Sequence, residues 1–410
     1  MESQRWSDRD VVDWIMVEES WISRMSSGLA GETKEEFNLR PQSFAILCSK
    51  LHSYFARLSI SILNHLLQNQ CNHVRSKLRN IKCVKKSFPT YSQSSVSPKM
   101  APAPMIIQLN NGDKVNRFTV FKKLGEGTFG AVYAVRDDSG AEHALKAEFA
   151  TEKIPLLKLE LYVMQKLTQK GAKHMPTLID KGKHDNFNYI VMKFLGKSLQ
   201  DAKKTGPNSH LNLGSAIGAS IQCLEALEEL HWCGFLHRDV KPGNFCLGRA
   251  ELGELRKVFV LDFGMCRRYV NDQNVMLQPR RKAPYRGTPR YAPIASHNYM
   301  EHGRKDDVES WFYMLVDFTN ASLPWKVATD VKEVGAIKKN ARVEPGLSQL
   351  LAECPMEEYR SILNHIDSLT FFMAPDYGFL YSTLRKLMQT KNLKEFPYDW
   401  ETEYAAGKDN

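Results

Sequence analysis

The most constraining feature of this 410-residue chain is the run HRDVKPGN at His237–Asn244, followed 18 residues later by DFG at Asp262–Gly264. The first run brings a carboxylate, an ammonium group and an amide into one short loop. The second follows the apolar segment VFVL at Val258–Leu261, which predicts a buried strand with a carboxylate at its end. Any one of these residues also fits an ordinary polar loop, but the combination predicts a site that handles phosphate groups and a divalent cation.

Four polar residues of the two runs have a predicted task in phosphoryl transfer. Asp239 is placed to accept or orient the proton of a substrate hydroxyl group. Lys241 is predicted to neutralise the charge of the transferring phosphoryl group. Asn244 and Asp262 supply the oxygen atoms that Mg²⁺ prefers, so we expect them to hold the metal.

A glycine-rich segment lies upstream, between two segments rich in strand-forming residues. Backbone N–H groups can approach phosphate oxygens closely only where the side chain is small. The same pattern occurs in dinucleotide-binding folds, where it leads into a helix, whereas here it leads into the strand-like Ala131-Val132-Tyr133. The residues of this predicted phosphate loop are Gly125, Glu126, Gly127, Thr128, Phe129 and Gly130.

Lys146 ends the strand-like segment Ala144-Leu145-Lys146 and is predicted to bind the phosphates of a nucleotide. A lone lysine after a strand is usually an ordinary surface residue. Glu160, which lies in the next predicted helix, can pair with Lys146 and fix its position. Glu148 and Glu152 are nearer along the chain, but Glu160 belongs to the apolar-periodic segment that must pack inward.

The order of secondary structure predicts an α+β fold with a small β-rich part followed by a larger α-helical part. Short strand-like segments and glycine-containing turns fill the region from Arg117 to Phe149, and helical periodicity dominates beyond Leu213. The segment VESWFYMLVDF at Val308–Phe318 is apolar nearly all round, which predicts a fully buried helix.

The first 115 residues differ in composition from the rest. We divide them into a mixed-charge extension, 1–36, and a basic extension with a Ser/Pro-rich linker, 37–115, which we expect to be mostly disordered. No Asp or Glu occurs from Phe37 to Met100, and Met100 is an alternative start of the chain. An acidic-surface or nucleic-acid-binding role for this arm is an alternative, but no aromatic residues separate the cations from Arg75 to Lys86, which argues against nucleic acid as a partner.

Bulk composition narrows the setting in which the chain works. The net charge of +10 favours acidic partners without choosing among them. The eight Cys form no CxxC pair and are expected to be reduced. Neither a secretory signal nor an apolar run of about 18 residues is present, so we expect a soluble intracellular protein, cytoplasmic or nuclear, with no membrane span. The oligomeric state is left open.

With these motifs in the order glycine loop, Lys, helix Glu, HRD…N and DFG, residues 116–400 resemble protein kinases of the casein kinase 1 group. Within that group the chain most resembles the tau-tubulin kinase family. Most kinases end the activation segment with Ala-Pro-Glu, whereas this chain has Ala292-Pro293-Ile294, which is typical of the group. Residues 401–410 remain as a C-terminal tail. The motifs that carry the resemblance are RDVKPGNF at 238–245, RGTPRYAPIASH at 286–297, GRKDDVESWFYMLVDF at 303–318, LPW at 323–325 and PDY at 375–377.

The resemblance implies a two-lobed protein kinase fold that binds ATP and Mg²⁺ in the cleft and phosphorylates Ser/Thr of protein substrates. Met192 matches the position called the gatekeeper, and Lys193, Phe194 and Leu195 match the hinge beside adenine. The other implied pocket walls are Leu124, Val132, Ala144, Cys246 and Leu261. Pro289 and Pro293 depart from the residues usual in relatives, which affects the expected substrate sequence and leaves the catalytic residues intact.

Cations concentrate on the predicted activation segment, at Arg280, Arg281, Lys282, Arg286 and Arg290. They favour acidic or already phosphorylated substrates because Arg pairs well with phosphate. Arg290 matches an anion-binding position of the group, and we place Arg286 with it as a substrate anion site. A solvated basic loop is the alternative. A pseudokinase scaffold is the alternative to catalysis, although Lys146, Asp239 and Asp262 are all present.

Overall fold

The computed structural model describes residues 106–127, 130–152, 155–206, 209–320 and 322–405. The extension 1–36, residues 37–105 of the basic extension and linker, Thr128 and Phe129 of the phosphate loop, and residues 406–410 of the C-terminal tail lie outside these residues.

The first part of the described chain forms an antiparallel sheet of six strands in the order β1-β2-β3-β4-β6-β5. Side chains alternate across it as the period of a strand requires: Tyr133 and Val135 of β3 face a core with Phe118, whereas Ala134 points to the opposite face. The strands are β1 Lys114–Val115, β2 Phe118–Gly127, β3 Gly130–Arg136, β4 Glu142–Phe149, β5 Leu178–His184 and β6 Phe187–Lys193.

One helix, α1 (Leu156–Gln169), belongs to this lobe and follows β4. It buries Leu157, Glu160, Leu161 and Met164, which recur at the spacing of one helical face. Pro155 precedes the helix and its side chain makes no cap hydrogen bond. The first turn instead donates the backbone N–H of Leu157 to Glu148 of β4, at 3.2 Å from Oε2.

The second lobe is mainly helical. Its centre is α5 (Arg304–Thr319), in which every residue from Asp306 to Thr319 is buried, as the apolar sequence predicted. Helix α3 (Leu213–Trp232) packs against α5, and the indole N–H of Trp311 donates to the carbonyl of Ser220 at 2.7 Å. The other helices are α2 Leu199–Ala202, α4 Ile294–His297, α6 Val331–Asn340, α7 Gly346–Leu350, α8 Met356–Ser368, α9 Tyr377–Thr390 and α10 Asp399–Ala405.

Two small antiparallel ladders carry the polar loops. Strand β7 (Phe235–Leu236) pairs with β10 (Arg267–Arg268), and β8 (Phe245–Leu247) pairs with β9 (Val258–Val260). The HRDVKPGN run therefore lies between β7 and β8, and DFG lies between β9 and β10. Short 3₁₀ turns occur at Lys203–Thr205, Pro242–Asn244, Ala250–Leu252 and Phe263–Met265.

The C-terminal segment closes the second lobe. Trp400 is fully buried, stacks on Tyr398 at 4.4 Å between ring centroids, and donates its indole N–H to the carbonyl of Leu255 at 2.9 Å. Asp399 accepts the backbone N–H of Asn212, the residue that caps α3. The two-lobed α+β fold expected from the sequence is thus present. Across the described ranges, no helix is long and apolar enough to cross a membrane.

Candidate active site

A cleft of about 970 Å³ lies between the sheet and the helical lobe. Its walls include every residue predicted for catalysis, nucleotide binding or metal binding that lies within the described ranges. These are Leu124, Gly125, Glu126, Gly127, Gly130, Val132, Ala144, Lys146, Glu160, Met192, Phe194, Leu195, Asp239, Lys241, Asn244, Cys246, Leu261 and Asp262. The cleft also contains residues that the sequence did not assign to it, among them Glu148, Leu156, Ser198 and Asp201.

The glycines of the β2–β3 hairpin serve two different purposes. No atom lies within 4 Å of a Cβ added to Gly125, so its surroundings leave space over the cleft. A Cβ on Gly130 would lie 2.3 Å from the carbonyl oxygen of Ala147 in β4. Gly130 is therefore required by strand packing, whereas Gly125 leaves room for a ligand to approach the backbone.

Lys146 is the centre of a three-residue charge cluster that joins the two lobes. Its Nζ lies 2.5 Å from Oε2 of Glu160 on α1 and 2.9 Å from Oδ1 of Asp262. Burial by itself disfavours the ammonium form, but the charges of the two carboxylates outweigh it and raise the pKa of Lys146 above its ordinary value. Lys146 also lowers the pKa of Asp262, against the effect of burial, so the carboxylate stays ionised for a cation.

The loop His237–Asn244, called the catalytic loop below, is held in place through its backbone. Asp307 of α5 accepts the N–H of His237 at 2.7 Å and of Arg238 at 2.8 Å, and its carboxylate also contacts the ring of His231 at 2.9 Å. Asp307 is buried, and its pKa remains low despite burial because these groups bond to the ionised form. The side chain of His237 contacts the carbonyl of Leu261 at 3.0 Å, which ties this loop to the DFG run.

Asp239 is oriented by four contacts from three residues. Its Oδ1 accepts the backbone N–H of Thr288 at 2.8 Å and the Thr288 hydroxyl at 2.9 Å. Its Oδ2 accepts Nζ of Lys241 at 2.6 Å and lies 3.4 Å from Nδ2 of Asn244. Lys241 also donates to the Thr288 hydroxyl at 3.2 Å. Thr288, on the activation segment, thus orients the carboxylate of Asp239.

Two residues of these loops have left-handed backbone conformations. Arg238 has φ 65° and Asp262 has φ 66°. Such conformations cost of order 1–3 kcal/mol for residues other than glycine and persist only where the surroundings impose them. Asp307 holds the backbone at Arg238, and Lys146 holds the side chain of Asp262. The two loops are therefore fixed in the conformation in which the carboxylates of Asp239 and Asp262 line the cleft.

Ion pairs connect the lobes behind the predicted hinge. Lys193 pairs with Glu254 at 2.5 Å. Arg249 pairs with Glu142 of β4 at 2.9 Å, and its guanidinium group lies 5.1 Å from the ring centroid of Phe194. These contacts connect the two lobes at this edge of the cleft.

The cations of the activation segment differ in their partners. Arg280 makes a bidentate contact with the buried carboxylate of Glu301, so its guanidinium group is already engaged within the protein. Glu301 lies outside the motifs, so the sequence had no signal for this pair. Arg286 and Arg290 differ from Arg280, because each has a buried Nε atom without a hydrogen-bond partner among the described residues. Burial lowers the pKa of Arg238 to about 10, and the charges of Arg267 and Arg286 contribute to this. Burial also lowers the pKa of Lys203, with a smaller contribution from the charge of Arg290.

The comparisons with known proteins agree with this geometry. The family model described as "Protein kinase domain" matches residues 118–369. The chain belongs to the protein kinase family. This family uses ATP and a divalent metal and acts on proteins. No group of three or more metal-ligating His, Cys, Asp or Glu residues occurs in the described ranges. Asn244 and Asp262, the predicted metal ligands, both line the cleft and carry oxygen atoms of the kind that a hard cation binds.

Three curated relatives of this protein kinase are themselves serine/threonine kinases by name. A probable serine/threonine-protein kinase of Dictyostelium discoideum is 32% identical over 293 residues, which cover 71% of this chain and 58% of that protein. A putative one of Caenorhabditis elegans is 36% identical over 295 residues, 70% of this chain and 82% of the relative. The kinase spe-6 of the same organism is 32% identical over 317 residues, 76% and 82% of the two chains. The matched domain is a serine/threonine kinase domain.

Proposed function

We propose that the protein is a catalytically active serine/threonine kinase that uses ATP and Mg²⁺ and prefers acidic or already phosphorylated protein substrates. The observation that carries this proposal is the completeness of the charge network. Lys146 contacts both Glu160 and Asp262, and Asp239 is held by Thr288 and Lys241. A scaffold without catalysis needs neither arrangement.

In this proposal Asp239 orients the attacking hydroxyl group of a substrate Ser or Thr and accepts its proton. Thr288 and Lys241 fix the two oxygens of the carboxylate, so little reorganisation is needed when the hydroxyl arrives. The low exposure of Asp239, 8%, limits competition from water.

The cations of the cleft would stabilise charge on the phosphates. Lys146 is positioned for the phosphates nearest the sheet, and Lys241 lies beside Asp239, where the transferred group must pass. Nδ2 of Asn244 donates to the carbonyl of Asp239 at 2.8 Å, so its Oδ1 is the atom left to bind a cation. One carboxylate and one amide oxygen suit a hard cation such as Mg²⁺, which supplies neutralisation of phosphate charge.

The test is phosphate transfer from ATP–Mg²⁺ to casein by the wild type, by Asp239→Asn and by Asp138→Asn, an exposed aspartate of the β3–β4 turn that serves as the matched control. We expect the Asp239 variant to lose at least about 100-fold in kcat and the control to match the wild type. If the wild type is as silent as Asp239→Asn on casein and on primed peptides while ATP still binds, the protein is a pseudokinase scaffold.

The proposed preference for phosphorylated substrates rests on Arg290 and Arg286. Both residues are partly exposed, and each guanidinium group carries five N–H donors, which leaves hydrogen-bonding capacity for a substrate. Bidentate pairing with phosphate would use it. We expect Arg290→Ala to lower kcat/KM on primed peptides about tenfold more than on unprimed ones. Equal losses on both peptides would remove the anion site from the proposal.

We further propose that the kinase belongs to the casein kinase 1 group, is most similar to tau-tubulin kinases, and works inside the cell. Ile294 in place of the glutamate of Ala-Pro-Glu supports the group assignment. Five cysteines of the described ranges are free thiols, which supports a reducing compartment. Imaging of the tagged full chain in its native cells, with detection on the cell surface or in the medium as the contrary outcome, tests the location.

A further inference from the structure

The segment Pro289–Ile294 has its backbone bound by buried side chains of the helical lobe. Lys338 of α6 donates from Nζ to the carbonyl of Pro289 at 2.8 Å and to that of Ala292 at 2.5 Å. The indole N–H of Trp325 donates to the carbonyl of Arg290 at 2.7 Å. Four backbone groups of this segment are bound in this way, the fourth being the N–H of Ile294.

Lys338 is fully buried, which is unusual for a lysine. Burying a cation is costly unless hydrogen bonds and nearby charge or polarisable groups compensate. Besides the two carbonyls, the rings of Tyr313 and Trp325 lie 4.8 and 5.1 Å from Nζ, within range of cation–π attraction. Nζ of Lys338 also lies 3.4 Å from Nε2 of His297, in the helix that follows the segment. The two shortest contacts of Lys338 are thus with the backbone of the segment itself.

The Ile294 N–H donates to Oε1 of Glu309 at 3.0 Å. The same oxygen accepts the hydroxyl of Tyr313 at 2.6 Å and Nη2 of Arg342 at 2.9 Å. Arg342 also pairs with Asp367 at 2.9 Å, and its charge lowers the pKa of Glu309 although burial opposes this. The buried carboxylate of Glu309 on α5 therefore pairs with the guanidinium group of Arg342 next to the backbone of Ile294. Most kinases have the glutamate of Ala-Pro-Glu at the position of Ile294.

We infer that Lys338 and Glu309 are positioning residues that hold Pro289–Ile294 in its substrate-binding conformation and replace the missing glutamate of the activation segment. This inference rests on the proposed catalytic function. Thr288 directly precedes the segment and orients Asp239, so displacement of Pro289 is transmitted to the catalytic carboxylate. Lys338 and Glu309 are not part of the cleft lining, so ATP binding should be independent of them.

The decisive variant is Lys338→Met, which keeps the length of the side chain and removes its donors. Lys339→Met is the matched control, because Lys339 is the next residue of α6 and is exposed. We expect KM for a peptide substrate to rise about 10- to 100-fold in Lys338→Met, as for loss of one or two hydrogen bonds from a charged group, while KM for ATP stays within about twofold. Equal increases in both KM values, or none in either, would overturn the inference.

Hydrogen exchange provides a readout that needs no activity. In Lys338→Met, and in Glu309→Ala where it folds, the amides of Tyr291, Ala292 and Ile294 should exchange at least about tenfold faster than in the wild type. Amides of α1 should be unchanged. Unchanged exchange across the segment refutes the inference even if the wild type proves inactive, whereas an inactive wild type with faster exchange in the variants refutes only the proposed function.

Discussion

Lys146→Met should lower the free energy of unfolding by more than the small change in side-chain volume suggests. Glu160 is 3% exposed and would lose the cation that compensates its charge. Asp262 has a side chain that is 44% exposed, so water can solvate it and it adds little to the cost. Removing one partner of a buried ion pair costs about 3–5 kcal/mol, and we expect a loss in this range for the free energy of unfolding at pH 7.5.

A second substitution separates charge from packing. Glu160→Gln removes the uncompensated charge and keeps an oxygen near the backbone N–H of Phe263, which interacts with Glu160 in the wild type. Lys146→Met with Glu160→Gln should therefore be about 2 kcal/mol more stable than Lys146→Met alone, although the double variant lacks both functional groups. Lys146→Met and the double variant should both remain at least about 100-fold below the wild type in kcat/KM.

Urea denaturation of the wild type, the two single variants and the double variant measures the coupling. Burial raises the pKa of Glu160, so the folded form of Lys146→Met should bind a proton there that the unfolded form has already released. Its stability relative to the double variant should consequently fall as the pH rises from about 5 to 8. Additive losses, or a difference independent of pH, would refute the view that an unpaired buried carboxylate causes the instability.

Three further predictions concern other parts of the fold. Burial raises the pKa of Glu148 to about 7, so the wild type should lose up to about 3 kcal/mol of stability relative to Glu148→Gln between pH 4.5 and 8, and parallel urea curves over this range would contradict it. Trp400→Ala should lower the free energy of unfolding by about 3–5 kcal/mol, because a fully buried indole and its bond to Leu255 are lost; a shift below about 1 kcal/mol would show that α10 is not part of the core. Arg249→Ala should cost about 1 kcal/mol or less, and the difference should shrink in 1 M NaCl, because its pair with Glu142 is partly exposed; a salt-independent loss would point to its packing on the hinge instead.

The polar residues that the sequence assigned to the cleft do line it, because chemistry restricts those positions. Asp239, Asn244 and Asp262 lie in short runs whose order and spacing leave few alternative interpretations. The choice of Glu160 over Glu148 followed from helical periodicity, and the structure shows Lys146 in contact with Glu160. Glu148 interacts instead with the start of α1, a role for which its position in a strand gives no indication.

The buried charged residues that bind the activation segment, Lys338, Glu309 and Arg342, were not predicted because such residue types are ordinary in exposed helices. Lys338 is one of two adjacent lysines near the end of an amphipathic helix, a pattern typical of a solvated face. Glu309 and Arg342 are distant in sequence and meet only because α5 is buried. The pairing of Arg280 with Glu301 was not predicted for the same reason. The positions of charged residues in the sequence do not reveal which of them the fold brings into contact.

Asp307 holds the catalytic loop by backbone N–H groups, which every residue except proline possesses. The backbone path at His237 and Arg238 is therefore fixed by Asp307 and does not depend on the side chain of Asp239. A descendant gene could exchange Asp239 for another residue and still encode a folded protein with the same loop path and the same surface. The fold can therefore be retained when catalysis is lost. A single nucleotide change that replaces Asp239 would be enough to turn this kinase into a protein that only binds its partners.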